Sequence, residues 1–155
     1  MTVTKTTVIE NTWKEFYDRI KAQVETASIT GGTDVTIQNY VSSFPDQLID
    51  SKSDYPILVI ETPSFAGETF TIGKGKLSGK IFVGIYTNQG ESADKFLSQI
   101  IDSVETYKHS FREAGLTMVN LDSTGTDSFS RDKIKIHMRS AIFSFSFQYV
   151  KTGAY

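Results

Sequence analysis

The chain has 155 residues, of which 39% are hydrophobic, with eleven Phe, seven Tyr and one Trp; that is enough for one domain with a real core and excludes disorder throughout. Charged residues make up 22% and the formal net charge is −2, short of the basic excess of a dedicated nucleic-acid binder. Cysteine is absent, so disulfides, thiolate metal sites and cysteine nucleophiles are excluded, and folding inside a cell is the simplest expectation.

No apolar run reaches the roughly 18 residues of a membrane span, and the opening MTVTKTTVIENTWKEF lacks the apolar core of a signal peptide. Ile9, Trp13, Phe16, Tyr17, Ile20 and Val24 then recur at spacings of three and four and predict an amphipathic helix whose stripe is core. Thr7 with Glu10, or Thr12 with Glu15, fits a capping box, and Gly31-Gly32 is expected to end the element. Residues 33–54 read as short or irregular: VTI at 35–37 predicts a brief strand, and SSFPDQLIDSKSD is polar and rich in turn formers. Tyr55-Pro56 opens the unbroken apolar run Ile57–Ile60, which predicts a central strand covered on both faces.

SFAGETFTIGKGKLSGKIFVGIY follows, and it reads as two strands joined by a Gly-rich hairpin arm. Lys74, Lys76 and Lys80 suggest a phosphate loop, but the glycines are wrongly spaced and no helix pattern follows to hold an anion. Residues 64–80 offer few large apolar groups, so the arm is expected to be mobile in an isolated subunit. After the cap TNQGES, the positions Ala93, Phe96, Leu97, Ile100, Ile101, Val104, Tyr107 and Phe111 keep helical spacing, predicting one helix over 92–112 with Gly115 as its left-handed end. LTMVNL predicts a strand and DSTGTDSFSRD a solvated polar loop. Within that loop Asp122, Asp127 and Asp132 lack calcium-loop spacing.

The last segment, KIKIHMRSAIFSFSFQYV, alternates apolar and polar in two opposite phases. Ile134, Ile136 and Met138 are apolar first, then Phe143, Phe145, Phe147 and Tyr149. One extra residue flips every later side chain of a strand, so a switch is expected at Arg139–Ala141. Two other readings are a hairpin with a tight turn and a strand covered on both faces within one subunit.

The order of elements predicts a single α+β domain over 1–155, with flexible termini at 1–6 and 151–155. Its one mostly antiparallel or mixed sheet carries two main helices on one face and a projecting β-hairpin arm. No chemistry emerges: His109 and His137 are not at metal-ligand spacing, no serine elbow occurs, and the basic ladder lies apart from the Phe face. The expectation is therefore no catalytic residue, no metal and no cofactor.

From about Trp13 to Val150 the chain resembles the tail terminator (tail-completion) proteins of long-tailed bacteriophages. The resemblance is carried by the length and the N-terminal helix, Phe44-Pro45 in a polar stretch, and Tyr55-Pro56 opening an apolar strand. The Gly-rich hairpin, the long amphipathic helix and the final β segment complete it. It implies a non-enzymatic virion protein, assembled in the host cytoplasm, that forms a ring, usually of six copies. The ring caps the head-proximal end of the tail tube, ends tube polymerisation and offers a docking surface to the head-completion or connector protein, with viral DNA passing through its lumen. The partners implied are other copies of the chain, the tail tube protein and the connector, with transient passage of DNA and no membrane. Lys74, Lys76, Lys80, Ile134, Ile136 and Met138 become candidate contacts to a neighbouring subunit or the tube. Another neck or tube component of the same particle, or a small ligand-binding or enzymatic α+β domain, remains an alternative.

Overall fold

The computed structural model describes residues 5–43, 52–71, 74–131 and 133–150. Phe44, Pro45 and Asp132, all named above, lie outside that set. The chain runs α1 (Lys5–Gln23), β1 (Thr26–Ala27), β2 (Val35–Thr36), β3 (Asn39–Val41), a short 3-10 turn (Lys52–Asp54) and β4 (Ile57–Ile60). It continues with β5 (Ser64–Thr71), β6 (Lys74–Thr87), α2 (Gly90–Thr106), α3 (Lys108–Glu113), β7 (Thr117–Arg131) and β8 (Ile134–Val150). This is the expected α+β architecture. A six-stranded mixed sheet has the order β3-β4-β6-β8-β7, with β5 paired to β6 beside β4. Among the described residues only the β3–β4 pair is parallel in it.

Helical spacing becomes a packed layer on one face of this sheet. Phe16, Ile20 and Val24 of α1, Phe96, Ile100 and Val104 of α2 and Phe111 of α3 form a core with Leu58, Ile81, Val83, Phe143, Phe145 and Phe147. Trp13 ties α1 to β4, donating its indole N–H to the Ile60 carbonyl at 2.7 Å. α1 ends at Gln23 rather than at the glycine pair; Gly31, at φ +69°, serves the turn between β1 and β2 instead. Thr12 is no cap, since its hydroxyl donates back to the Val8 carbonyl inside the helix at 2.5 Å. The second predicted helix divides at Tyr107 (φ −98°, ψ 15°), although Phe111 N–H still bonds Tyr107 O at 3.0 Å. Gly115 has the expected positive φ, +99°.

The two phases of β8 do not require a switch. β6 pairs with β8 without a break from Lys74–Val150 to Thr87–His137, straight through Arg139–Ala141. The irregularities lie in β7, between Thr117 and Asn120 and between Leu121 and Ser123. The strand therefore keeps one alternation and is greasy on opposite faces at its two ends. Phe143, Phe145 and Phe147 face the helices. Ile134 and Ile136 face the other way, in a second core with Tyr55, Ile57 and Val59, packed against Val41, Tyr86 and Phe129. β4 is buried at all four residues because it serves both cores.

Two further expectations change. The segment expected as a polar loop is strand: β7 runs to Arg131, its partners on β8 continuing to Ile134. The hairpin β5–β6 is present, but the half of β6 from Lys74 to Lys80 also pairs with β8 from Val150 to Ser144. A strand bonded on both sides is part of the sheet, so the free, mobile arm is replaced by a three-stranded extension with Phe65 and Leu77 packed into the main core.

The β1–β2 loop is clipped to α2. Glu91 accepts hydrogen bonds from the Thr30 backbone N–H at 3.0 Å and hydroxyl at 2.7 Å. These bonds, with the nearby Lys95, hold the Glu91 carboxyl below its ordinary pKa. A lowered pKa means that the clip is intact above the ordinary carboxylate value and is lost as pH falls through the depressed one. The Thr30 amide resonance is expected to titrate with a midpoint below that of an unpaired Glu, and Glu91→Gln should abolish that titration. A Thr30 amide that titrates at the ordinary glutamate value would show that the clip does not form.

Candidate functional site

Alternation along β6 and β8 sorts their side chains cleanly. Leu77, Ile81, Phe143, Phe145 and Phe147 point to the helices, so Lys76, Ser78, Lys80, Ser144 and Ser146 stand on the opposite face. The register brings Ser64 beside Lys80, Ala66 beside Ser78 and Asn120 beside Ser144 on that same face. Together they line an open groove of about 420 Å³, bordered also by Met118. Met118 is 70% exposed and has φ +53°. Its neighbour Thr117 fixes the strand start by donating its hydroxyl to the Ser146 carbonyl at 3.0 Å.

The helix-free face thus has two halves. One end is the second apolar core; the other is a hydroxyl- and lysine-lined trough. Within the trough Lys80 is tied to Asp122 at 2.9 Å, both partly exposed, a pair of small energetic weight that fixes the cation's position more than it stabilises the fold. Lys76 is half-buried in the groove wall and Lys74 is exposed. At the apolar end burial raises the Tyr86 phenol pKa, and the charges of Glu61 and Asp127 push it the same way. On the helix side Arg139 donates to the Asp94 carboxylate at 2.7 Å. His109 is paired with Glu113 at 2.9 Å on the exposed side of α3.

The six sequence-predicted contact residues therefore separate. Lys76 and Lys80 come together in the groove, and Lys74 lies just beyond it on the same strand. Met138 is half-buried opposite Tyr86. Ile134 and Ile136 are 5% and 0% exposed within the single chain. Their assignment to a subunit contact is corrected: they are core, because the far-face cluster with Tyr55 and Ile57 already covers them. Sequence reasoning missed Ser64, Ser78, Asn120, Ser144 and Ser146, and only the polar phase of β8 signalled the last two. No group of three or more His, Asp or Glu side chains with metal-ligand geometry occurs among the described residues. No helix among them is long and apolar enough to cross a membrane. No protein-family model matches the sequence, and no curated protein matches it.

Proposed function

We propose that the protein is a structural, non-enzymatic component of a long-tailed phage particle that assembles into a ring, caps the head-proximal end of the tail tube and presents a docking surface to the head connector. The observation that carries this reading is the one-sidedness of the sheet. All three helices cover one face, while the other carries an apolar cluster at one end and, at the other, an open groove bordered by Lys76, Lys80 and several serines. A plate with one helix-clad face and one helix-free face whose groove end keeps lysines and serines open to water suits a wall segment around an aqueous channel. The near-neutral net charge also suits a lumen that lets DNA pass, since each neutralised phosphate would add counterion-release free energy and hold it. The order of elements that underlies the resemblance to tail terminators supports the same reading. In that family the ring usually has six copies, and its partners are the tube protein, the connector and passing viral DNA.

The test is to add the purified protein to tail-tube subunits while they polymerise and to view the product by negative-stain microscopy. Short tubes ending in a ring are the expected result; tubes of unchanged length with bare ends would defeat the reading. A second reading, a small-ligand-binding domain, is favoured by one observation, the 420 Å³ groove. It predicts a stable monomer that neither shortens nor decorates tubes.

A further inference from the structure

Among the described residues β7 borders only β8, so its outer side is an open edge of the sheet. From Asn120 to Ser130 its side chains are exposed on both faces, apart from the half-buried Gly125 and Phe129. From Ser123 to Arg131 it pairs with β8 without a bulge. This stretch holds no Pro and no Lys, residues with which proteins often blunt an edge. Ladder parity fixes which residues face outward. The Glu61 N–H donates to the Phe82 carbonyl at 3.0 Å, so Phe82 and Gly84 bond toward β4, and Val83 and Ile85 toward β8. Carried through the registers, Ser123, Gly125 and Asp127 bond to β8, while Thr124, Thr126 and Ser128 turn their N–H and C=O groups outward. Ser128 agrees, since its N–H donates to the Asp127 carboxylate at 2.8 Å.

An outward residue pairs only with an outward residue, so a second β7 laid antiparallel against this edge has few registers to choose from. Centred on Asp127, it sets two like carboxylates directly opposite, which is destabilising. Centred on Ser128, it sets Asp127 against the Phe129 ring of the other copy. Centred on Thr126, it pairs Thr126 with Thr126 and Thr124 with Ser128 on one face of the sheet, hydroxyl pairs of the kind that stabilise ladders. On the other face Asp127 then meets Gly125, which has no side chain to oppose it. The space over Gly125 holds a hydroxyl, because a Cβ at that position would stand 2.6 Å from Ser140 Oγ. The Asp127 carboxylate of the second copy therefore comes over a donor. Asp127 is the only charged residue from Ser123 to Ser130, so this register sets no like charges directly opposite.

We infer that the β7 edges of two copies pair antiparallel about Thr126 and join two sheets into one. The overlap runs from Ser123 to Phe129, about 20 Å at roughly 3.3 Å per residue. It carries about six backbone hydrogen bonds, two from each outward pair. On pairing, Asp127 releases the Ser128 N–H, and this donor meets the Thr124 carbonyl of the second copy instead. A two-fold axis normal to the sheet relates the copies, so both helix layers lie on one side and the contact closes at two. The occupant is a second copy because the edge is complementary to itself in this register. Little apolar area is buried, so the association belongs to the weak class and needs high concentration. The inference goes beyond the ring reading and does not rest on it.

The experiment uses the full chain alone. Sedimentation velocity over a concentration series up to millimolar should show a monomer–dimer equilibrium for the wild type and for Thr126→Val, which keeps the N–H. Thr126→Pro removes one outward donor, at a position where edge strands tolerate proline. It should lose the dimer and keep the circular dichroism spectrum. The register is read by disulfides, because the chain has no cysteine of its own. In Thr126→Cys the two introduced thiols face each other across a pair with Cα atoms about 5.5 Å apart, inside disulfide range. In Thr124→Cys, also at an exposed position, they stand roughly 13 Å apart along the strands. Under oxidation Thr126→Cys should form a covalent dimer and Thr124→Cys none. Equal cross-linking of the two, no cross-linking of Thr126→Cys, or association of Thr126→Pro equal to wild type overturns the inference. Should Thr126→Pro fail to fold, the cysteine variants decide alone. A wild type that stays monomeric at millimolar concentration also overturns it and leaves the edge to a strand from another protein. Capping of tubes is scored separately and is not touched by any of these outcomes.

Discussion

Ile136→Asp is expected to unfold the protein, not merely to stop its assembly. Ile136 is fully buried among Tyr55, Ile57, Val59 and Ile134, with Phe129 as its β7 neighbour. A carboxylate placed there finds no cation in the cluster. It either stays charged without a partner, at a cost on the order of 3–5 kcal/mol or more, or takes up a proton and remains a poorly satisfied polar group. Lost apolar burial adds roughly another 2 kcal/mol. Against a total stability of about 5–15 kcal/mol for a domain, that is most or all of the margin. The measurement is thermal unfolding by circular dichroism, with Lys135→Asp as an exposed control expected to stay within about 0.5 kcal/mol of wild type. A cooperative transition at the wild-type temperature for Ile136→Asp would mean that the far-face cluster is not core and that this side of β8 is free for another subunit.

The elements that were legible in the sequence are those whose burial repeats with a period. The stripe Phe96, Ile100, Val104 marks α2 because each of these residues is buried by the sheet. The run Ile57–Ile60 marks a doubly covered strand because two cores meet there. β7 beyond Leu121 was illegible for the same physical reason in reverse. Its side chains from Asn120 to Asp127 face solvent on both sides, apart from the half-buried Gly125, so no alternation was selected, and Ser, Thr, Asp and Gly read as loop. What makes this segment a strand is non-local: the ladder offered by β8. The β8 phases were visible but their cause was not, because the cover for Ile134 and Ile136 comes from Tyr55 and Ile57, nearly eighty residues earlier.

The groove illustrates the same limit. Lys76 and Lys80 stood out by charge, yet their surroundings depend on three registers at once, β5 on β6, β6 on β8 and β8 on β7. Shifting any of these by one residue would turn the serines to the helix face and the phenylalanines into the trough. Nothing local in SFAGETF or in LTMVNL carries that information. The Phe ladder of β8 carries it indirectly, since burying Phe143, Phe145 and Phe147 under the helices forces Ser144 and Ser146 to the opposite side.

Phe16→Ala should be among the most damaging core truncations, since Phe16 is where α1, α3 and the sheet meet. Its ring centroid lies 4.6 Å from that of Phe111, 5.8 Å from Phe145 and 6.2 Å from Phe143, and the residue has no exposed surface. Truncation removes a large apolar side chain and leaves a void walled by three other rings. Those rings sit on a helix and on a strand bonded on both sides, so neither backbone collapses readily into the space. The expected cost is about 3–5 kcal/mol, or a fall in melting temperature of roughly 6–20 °C for a domain of this size. Phe16→Leu keeps much of the volume and should lose less than half as much. Ile9 lies on the same helix but is 37% exposed, so Ile9→Ala should shift the transition by no more than a degree or two, corresponding to about 0.5 kcal/mol. Differential scanning calorimetry on the three variants separates the cases. If Phe16→Ala and Ile9→Ala melt together, α1 is not docked on the sheet, and the helix-clad face on which the wall-segment reading depends does not exist in solution.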